Sequence, residues 1–332
     1  MMPERLNILI ADFLDEHEVE APILGDVAEL ELARATGEEQ LRERLPRADA
    51  LILYHDIPMI TDASFAVAGR CRGVVRAGVG YNNVDLEAAG KRGIVVCNVP
   101  DYGTEEVADH AIMMLLALAR GLKASDESMR RGEWEYRSAG PAPRLRGKVL
   151  GIVGCGRIGT ATALRAKAFG LDVVFYDPLL PDGVDKALGV RRATRLDDLL
   201  AESRFLSLHC YLSPATYHMI DAAALARLPR GAYLINTARG PVVDQEALIE
   251  ALDSGHLAGA GIDVFEREPL DEPRLRAHPS VLLTPHSAFY SAEGFVELRR
   301  KTALEVRRLL LGEPPRNPVN RDRVAHPRTP LA

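Results

Sequence analysis

A glycine-containing turn between two apolar, strand-like runs most constrains the fold of this chain. Residues 149–159 read VLGIVGCGRIG, an apolar run that ends in the spacing G-x-G-x-x-G. An alanine-rich, helix-like segment covers residues 160–169, a second apolar run covers 173–176, and Asp177 follows. A strand, a glycine turn, a helix, a second strand and an acid at its end together predict a dinucleotide-binding βαβ unit.

Each part of this unit has a physical task. Gly154 permits the tight turn, Gly156 lets the backbone approach a pyrophosphate, and Gly159 lets helix and strand pack closely. The start of the helix offers unpaired N–H groups and the positive end of its dipole to the phosphates. The alternative is a glycine-rich turn of another α/β protein, but strand, helix, spacing and acid all agree with the dinucleotide site.

The acid at the end of the second strand also bears on the type of cofactor. The Asp177 carboxylate would accept hydrogen bonds from the adenosine ribose hydroxyls and repel a 2′-phosphate. Pro178 follows it, where a phosphate-binding site would place Arg. We therefore predict NAD (NADH) as the cofactor in preference to NADP. The alternative is that Asp177 only caps a turn before Pro178.

Length, charge and cysteine content narrow the class of protein. The 332 residues exceed the about 250–300 at which single cores usually stop growing, so two domains are expected. A net charge of −6 gives no support for a nucleic-acid or anionic-membrane partner. Four scattered cysteines without a C-x-x-C pair indicate reduced thiols, with no metal ligand among them. Residues 1–5 run directly into a strand without a signal-peptide core, so we predict a cytoplasmic location.

The longest apolar block, residues 111–119, lies in a helix expected from about Thr104 to Lys123. It is far shorter than the roughly 20 residues needed to span a bilayer. A helix that is apolar on every side must be buried by its own protein or by a second subunit. Because one small domain gives little cover, we predict a homodimer through the 104–123 helix region. The alternative is full burial within one subunit.

Strand-like and helix-like segments alternate along the rest of the chain. Before residue 104 the strand candidates are 6–11, 28–33, 50–54, 73–76 and 94–97, and helical spacing covers 38–44 and 85–91. After Asp177 the strand candidates are 205–209, 232–236, 259–264 and 281–284, and the helix candidates are 195–202, 221–227, 245–255 and 292–311. We predict two doubly wound parallel-sheet α/β domains: a flavodoxin-like domain of residues 1–103 plus 294–332, and a Rossmann domain of residues 104–293 inserted between them. The tail beyond Gly312 is expected to be loosely ordered.

Three polar motifs follow predicted strands downstream of the glycine turn: NTARG at 236–240, DVFEREP at 263–269 and TPHSA at 284–288. A doubly wound sheet binds its ligands at the carboxyl ends of its strands. This ordered set of Arg, Glu and His resembles the D-isomer-specific 2-hydroxyacid dehydrogenases, over nearly the whole chain. The resemblance implies a catalytic Arg239, Glu268 and His286, a substrate domain in residues 1–103 plus 294–332, and an active site in the cleft between the domains.

Further stretches resemble the C-terminal-binding protein branch of that family, which includes NAD-dependent dehydrogenases and transcriptional corepressors. They are residues 76–80, 163–170, 175–178, 208–210 and 285–291. Phe289 stands where the vertebrate-type corepressors carry Trp. This departure weakens a corepressor role more than it weakens catalysis.

The three residue types fit the interconversion of a 2-oxo acid and its D-2-hydroxy acid. His286 is the natural donor of the proton because imidazole exchanges protons near neutral pH. Glu268, bonded to the other ring nitrogen, would orient the ring and favour the imidazolium. Arg239 offers a planar fork that matches a carboxylate, and the nicotinamide supplies the hydride. The alternatives are an NAD(H)-sensing, corepressor-like binding protein and a dehydrogenase of a phosphorylated or inorganic acid.

The resemblance also implies a wider set of contacts. Those to substrate fall on His55, Arg76, Val79, Gly80, Arg239 and Phe289. Those to the cofactor fall on Val79, Gly154, Cys155, Gly156, Arg157, Ile158, Gly159, Asp177, Cys210, Thr216, Thr237, Ala238 and Asp263. For His55 and Arg76 the alternatives of a loop imidazole and a strand-end charge stay open.

Overall fold

The computed structural model describes residues 5–331, and in it the chain divides into two compact units. One unit runs to Gly103 and resumes at Ser291, and the other comprises Thr104–Tyr290. Residues 1–4 of the predicted N-terminal segment and residue 332 of the predicted first domain lie outside the described residues. No helix in residues 5–331 combines the length and the apolar character needed to cross a membrane.

The first unit is built on a five-stranded parallel sheet. Its strands β1–β5 cover Leu6–Ile10, Ala28–Leu32, Ala50–Leu53, Gly73–Arg76 and Val95–Asn98, and its helices α1–α3 cover Ala21–Leu24, Asp62–Val67 and Leu86–Lys91. The strand order is β2-β1-β3-β4-β5, which is the flavodoxin-like order. Every residue of β3 and of β5 is buried, as expected of parallel strands covered on both faces. The flavodoxin-like prediction is confirmed, and the strand ends lie within one residue of those expected.

The second unit is built on a seven-stranded parallel sheet. Its helices α4–α11 cover Thr104–Ala119, Leu122–Arg130, Arg157–Ala168, Val184–Leu188, Leu196–Glu202, Ala222–Arg227, Gln245–Asp253 and Pro273–Ala277. Its strands β6–β12 cover Val149–Val153, Asp172–Tyr176, Arg191–Arg192, Phe205–Leu208, Ala232–Asn236, Leu257–Ile262 and Val281–Leu283. The order β12-β11-β10-β9-β6-β7-β8 is the Rossmann order with one strand added. The Rossmann prediction is confirmed, and the strand order reverses between β6 and β9, where such a sheet binds its ligand.

The helix expected over residues 104–123 is interrupted, which corrects the prediction. α4 ends at Ala119, and Gly121 (φ +58°) separates it from α5. A side chain at Gly121 would lie 2.1 Å from the Ala139 carbonyl oxygen, so the break requires glycine. α4 packs on α6, β10 and β11, but the Met113 side chain on its other face is 50% exposed. The alternative of full burial within one subunit therefore does not hold for this helix.

The helical spacing at residues 38–44 yields only a 3₁₀ turn at Glu38–Leu41, which corrects a second prediction. The Glu38 carboxylate accepts hydrogen bonds from the Thr61 N–H (2.8 Å) and the Ser64 hydroxyl (2.7 Å). Pro46 follows in the next 3₁₀ turn and cannot donate to a continuing helical ladder. The segment is therefore held by side-chain contacts rather than by a full helix.

The last helix returns to the first unit. α12 covers Ala292–Leu311, the range predicted, and packs on α1, β3 and β4. Its Arg299 is buried and donates to the buried Glu20 carboxylate at 2.7 and 2.8 Å. A buried guanidinium paired in this way ties α12 to the start of α1.

The expectation of a loosely ordered tail beyond Gly312 was wrong for the residues described. The Val319 N–H donates to the Val96 carbonyl oxygen (2.8 Å), which adds the tail to the edge of β5. The buried Asn320 side chain accepts from the Val96 N–H (2.9 Å) and donates to the Ile94 carbonyl oxygen (3.0 Å). Composition did not reveal these contacts because they join segments far apart in sequence.

Candidate active site

The glycine turn after β6 is shaped by close backbone contacts. Gly154 has φ +87°, and a side chain there would lie 2.6 Å from the Cys210 backbone nitrogen. A side chain at Gly159 would lie 2.1 Å from the Gly154 carbonyl oxygen. Only glycine fits at these two positions, because any side chain would clash with the backbone. The turn therefore passes between β6 and the end of β9, as expected of the G-x-G-x-x-G spacing.

Gly156 and the start of α6 face open space instead. No described atom lies within 4 Å of the position a Gly156 side chain would take, and its φ is an ordinary −70°. α6 then begins at Arg157, and Gly156 provides no side-chain hydrogen bond to cap it. A helix start of this kind presents N–H groups to an anion, so Gly156, Arg157 and Ile158 suit a pyrophosphate.

Asp177 occupies the end of β7 and reaches back to the glycine turn. Its Oδ2 accepts a hydrogen bond from the Cys155 N–H (2.9 Å), and its Oδ1 accepts one from the Leu179 N–H (3.0 Å). Asp177 therefore does order its own turn, as the alternative interpretation held. Each carboxylate oxygen keeps a second lone pair with which it can accept from a ribose hydroxyl.

The loop after β9 carries two further predicted cofactor contacts. Cys210 is partly buried, and burial raises the pKa of its thiol to about 11, so it is not a reactive thiolate. The Thr216 hydroxyl donates to the Tyr211 carbonyl oxygen (2.7 Å) and accepts from the Ser213 N–H (2.8 Å). Thr216 thus shapes the loop from within.

The loop after β10 offers a polar atom that the protein leaves unsatisfied. The Thr237 hydroxyl is buried and has no hydrogen-bond partner among the described atoms. The neighbouring Ala238 N–H donates to the Asn236 side chain (3.0 Å), which fixes the loop. Buried hydroxyls in folded proteins are nearly always paired, so Thr237 fits a position that a bound ligand completes. Together with the open glycine turn, it makes this edge of the sheet fit a nicotinamide dinucleotide.

His286 and Glu268 meet in a short hydrogen bond. The His286 Nδ1 lies 2.7 Å from Oε2 of Glu268, and Glu268 Oε1 accepts from the Phe265 N–H (3.0 Å). Because an ionised carboxylate can only accept, the proton of this bond lies on Nδ1. The bond therefore fixes the plane of the ring and assigns its Nε2 to proton exchange.

The charge state of Glu268 suits this task. Burial opposes its ionisation, but the bond and charge of His286, the Phe265 N–H and the charge of Arg239 outweigh it and lower the pKa of Glu268. A pKa below the ordinary value keeps Glu268 a carboxylate near neutral pH. It can then stabilise a positive charge on the ring beside it.

Arg239 is brought to Glu268 by a backbone contact between two loops. A side chain at Gly240 would lie 1.9 Å from the carbonyl carbon and oxygen of Phe265. The loop after β10 therefore packs directly on the loop after β11. Arg239 is half-buried and one of its Nη atoms donates to the Ala238 carbonyl oxygen (2.6 Å). The structure thus brings the three predicted catalytic residues together in the second unit.

Asp263 holds the loop that carries His286. Its buried carboxylate accepts from the Thr284 hydroxyl (2.5 Å) and from the N–H groups of Ser287 (2.9 Å) and Ala288 (3.1 Å). The His286 N–H donates to the Asp263 carbonyl oxygen (2.8 Å), and His286 has φ +51°. A left-handed conformation costs a non-glycine residue about 1–3 kcal/mol, so these bonds hold His286 in a strained backbone conformation.

His110 of α4 extends this support, and sequence reasoning missed it. Its Nε2 lies 3.0 Å from the Thr284 hydroxyl, which itself donates to Asp263, so the imidazole is the donor. Burial lowers the pKa of His110, and the Asp263 charge opposes that effect. The only sequence signal was a polar residue in an apolar helix.

A second polar cluster, which the sequence did not single out, joins the same loops. His218, Asp244 and Glu266 each place one atom of metal-ligand type within 4.8 Å of the others. His218 Nε2 lies 2.8 Å from Glu266, however, whereas its Nδ1 lies 3.9 Å from Asp244. Carboxylates on opposite ring nitrogens are typical of an imidazole that bridges two acids, and a metal would need them at the same nitrogen.

Four predicted substrate contacts lie in the first unit. His55 follows β3, in a loop held by the buried Asp12, whose carboxylate accepts from the N–H groups of Tyr54 (2.6 Å) and Asp56 (2.7 Å). Burial raises the pKa of Asp12 to about 6 despite these bonds. Sequence reasoning missed Asp12, although its position after β1 indicates the carboxyl edge of this sheet.

The other three lie at the end of β4 and just after it, at the same edge of the sheet. Arg76 ends β4 and donates to the Ala77 carbonyl oxygen (2.9 Å). Val79 is 37% exposed and Gly80 is half-buried, and the side chain of Asn98 at the end of β5 donates to the Val79 carbonyl oxygen (2.7 Å). In the second unit, Phe289 is half-buried beside the His286 loop.

Comparison with known proteins bears on the identity of this site. Residues 112–288 match the family model described as "D-isomer specific 2-hydroxyacid dehydrogenase, NAD binding domain". The chain is 42% identical over 286 residues to a glyoxylate reductase of Korarchaeum cryptofilum, covering 84% of this chain and 85% of that protein. It is 36% identical over 315 residues to a D-3-phosphoglycerate dehydrogenase of Methanocaldococcus jannaschii, covering 95% of this chain but only 59% of that relative.

A solved structure gives the same picture for the whole fold. The NADPH-dependent glyoxylate/hydroxypyruvate reductase of Sinorhizobium meliloti, in complex with NADP and malonate, superposes with a TM-score of 0.85. It is 29% identical to this chain, and the match covers 95% of this chain and 97% of that one.

Proposed function

The chain belongs to the D-isomer-specific 2-hydroxyacid dehydrogenase family, and from that premise we propose that it interconverts a small 2-oxo acid and its D-2-hydroxy acid with NAD(H). Family membership makes it an oxidoreductase with a nicotinamide dinucleotide cofactor. The bound nicotinamide supplies or accepts the hydride. The proposed roles of the chain's own residues are proton transfer, orientation and charge stabilisation, at His286, Glu268 and Arg239.

The hydrogen bond of 2.7 Å between His286 and Glu268 is the observation that carries this proposal. With the proton fixed on Nδ1, the imidazolium donates its second proton from Nε2 to the developing alkoxide of the substrate. In the reverse direction the neutral ring accepts the hydroxyl proton at the same nitrogen. The Glu268 carboxylate stabilises the charged ring in both directions.

The substrate is proposed to be a small, unphosphorylated 2-oxo acid. Arg239 would bind its carboxylate, with the Val79–Gly80 turn, His55, Arg76 and Phe289 as further contacts. The similarity to a glyoxylate reductase, of which 85% is covered, supports a small acid. A phosphorylated acid needs additional cations, and beyond Arg239 the predicted substrate contacts contain only Arg76.

We propose NAD(H) as the preferred form of the cofactor and assign residues 104–293 to its binding. Asp177 carries a carboxylate at the end of β7, next to the glycine turn at Cys155. A 2′-phosphate there would meet a like charge. The similar reductase of Sinorhizobium meliloti is NADPH-dependent, so the proposed preference rests on this chain's own residues.

Turnover and cofactor binding separate an enzyme from an NAD(H)-sensing, corepressor-like protein. A panel of 2-oxo acids with NADH, followed at the nicotinamide absorbance band, is expected to give turnover with at least one small acid. His286→Ala should abolish turnover and leave NADH binding within about twofold of wild type. NADH binding without turnover on any acid of the panel would favour the sensing protein instead. Membership of the C-terminal-binding protein-like branch and the cytoplasmic location stay predictions.

The proposal of a homodimer also stays open to a direct test. Met113 of α4, Leu122 of α5 and Trp134 just beyond it are 50%, 60% and 90% exposed within one copy of the chain. Large exposed apolar side chains clustered along one stretch are typical of protein–protein interfaces. Sedimentation at micromolar concentration is expected to show a dimer, and Met113→Glu is expected to weaken it. A wild-type monomer would refute the proposal.

A further inference from the structure

The loop between β7 and α7, which starts at Asp177, is held by hydrogen bonds from one arginine side chain. The Arg192 guanidinium, on the neighbouring strand β8, donates from Nη2 to the carbonyl oxygens of Asp177 (2.9 Å) and Leu180 (2.8 Å). Its Nη1 donates to the Pro181 carbonyl oxygen (3.1 Å) and lies 3.4 Å from Asp182 Oδ1. One side chain thus binds most of the loop from residue 177 to residue 182.

The surroundings of Arg192 hold its side chain in place. Its side chain is only 17% exposed, and its guanidinium carbon lies 5.7 Å from the centre of the Phe175 ring. Strand pairing places Arg192 directly opposite Phe175, and the Ala193 N–H donates to the Phe175 carbonyl oxygen (2.8 Å). A planar, partly buried guanidinium that donates to several acceptors at fixed positions moves little.

The same bonds determine the orientation of Asp177, the residue predicted to bind the adenosine ribose. Arg192 holds the carbonyl group of Asp177, while the carboxylate of Asp177 binds the N–H groups of Cys155 and Leu179. The backbone of Asp177 is therefore fixed on one side by Arg192 and its side chain on the other by the glycine turn. Replacement of Arg192 would remove the bonds that hold the loop, while the Asp177 carboxylate itself would still be present.

An arginine near the ribose acid is also the residue type that accommodates a 2′-phosphate in NADP-dependent proteins. In this chain the four Nη hydrogens of Arg192 are directed at acceptors of the loop. Because its hydrogen atoms are already used in bonds to the loop, the Arg192 guanidinium would attract a 2′-phosphate only weakly. It would instead strengthen the rejection of a 2′-phosphate, because it holds the Asp177 carboxylate close to where that phosphate would bind.

We propose that Arg192 is a positioning residue that sets the preference for NADH over NADPH by holding Asp177 against the adenosine ribose. The inference rests on the proposed NAD(H)-dependent function. Arg192 does not touch the reacting atoms, so its loss should act on cofactor affinity and selectivity and leave the chemistry of the 2-oxo acid unchanged.

The test compares Arg192→Met with Arg191→Met in the full chain. Arg191 is the matched control, because it lies on the same strand but pairs with Asp172 (2.8 Å) and Glu202 (2.9 Å) at the surface. NADH and NADPH dissociation constants come from titrations of nicotinamide fluorescence. Arg192→Met is expected to raise the NADH dissociation constant about tenfold and to leave the NADPH dissociation constant unchanged or lower. Arg191→Met should leave both constants within about twofold of wild type. The KM for the 2-oxo acid should not change.

A second pair of variants keeps the inference falsifiable should Arg192→Met fold poorly. Arg192→Lys preserves the charge and the packing on Phe175 but cannot reach all the acceptors, so it should fall between Met and wild type. With Asp177→Ala as background, adding Arg192→Lys should change NADH affinity by less than about twofold, because the carboxylate to be positioned is gone.

Three outcomes would overturn the inference. They are equal NADH affinity in Arg192→Lys and wild type, additive effects of Arg192→Lys and Asp177→Ala, and a preferential loss of NADPH binding, which would make Arg192 a phosphate ligand. Failure of the wild-type protein to bind NADH at all would count against the proposed function instead, so the two failures are distinguishable.

Discussion

Replacement of Glu268 by Gln tests the proposed chemistry with almost no change of shape. The two oxygens of Glu268 accept from two donors, His286 Nδ1 (2.7 Å) and the Phe265 N–H (3.0 Å). The amide of Gln has one acceptor and one donor end, so it can satisfy only one of these partners. When its oxygen stays on Phe265, its NH₂ group faces His286 Nδ1 and opposes the imidazolium.

The size of the effect follows from the bond that is lost. A hydrogen bond to a charged group is worth about 1.5–3 kcal/mol, and about 1.36 kcal/mol corresponds to a tenfold change in rate. Glu268→Gln is therefore expected to lower kcat about 10- to 150-fold. Because Glu268 contacts His286, the proposed proton donor, and is not among the predicted cofactor contacts, NADH affinity should stay within about twofold.

The assay measures kcat for reduction of the best 2-oxo acid and the NADH dissociation constant of the same preparation. Glu246→Gln serves as the control, since the exposed Glu246 pairs with Arg274 at the surface, where such pairs contribute little. An unchanged kcat in Glu268→Gln with intact NADH binding would refute the orienting role of Glu268. A loss of NADH binding would refute its assignment to the chemical step.

Three other substitutions test separate parts of the structure. Gly156→Ala meets no described atom within 4 Å and has an ordinary φ, so thermal unfolding should be unchanged while the NADH dissociation constant rises at least about tenfold. Gly240→Ala, 1.9 Å from Phe265, should cost about 1–3 kcal/mol of unfolding free energy and lower kcat, whereas the open Gly69→Ala should do neither. Asp12 has a pKa of about 6, raised by burial from 3.8, so its contribution to stability is lost as pH rises through about 6. Relative to Asp12→Asn, the wild type should gain about 1.4 kcal/mol of unfolding free energy from about pH 7.5 to about pH 5 in urea titrations.

Much of the fold could be predicted because its elements are local in sequence. The strands of a doubly wound sheet are short, buried on both faces and therefore apolar throughout, as in β3 and β5. The failures share a cause in contacts remote along the chain. Nothing near Gly312 indicates that Asn320 binds the edge of β5, and nothing near Glu38 indicates that Thr61 and Ser64 use its carboxylate.

The site was predictable to the extent that its residues follow strands. Arg239, Glu268 and His286 lie in loops at one edge of one sheet, and the pairing of His286 with Glu268 was expected from their chemistry. The supporting residues were not predictable in this way. His110 comes from a helix, and Arg192 looks like any charged residue of a short edge strand until its acceptors are seen.

The division of the chain sets the order in which its parts can be completed during synthesis. The second unit is one uninterrupted stretch, Thr104–Tyr290, so all seven of its strands leave the ribosome before α12 does. The sheet of the first unit is translated earlier but lacks its α12 cover and the Asn320 edge contact until the end. The first unit is thus begun first and completed last. During synthesis the nascent chain contains the whole second unit while the sheet of the first unit still lacks α12 and the Asn320 contact.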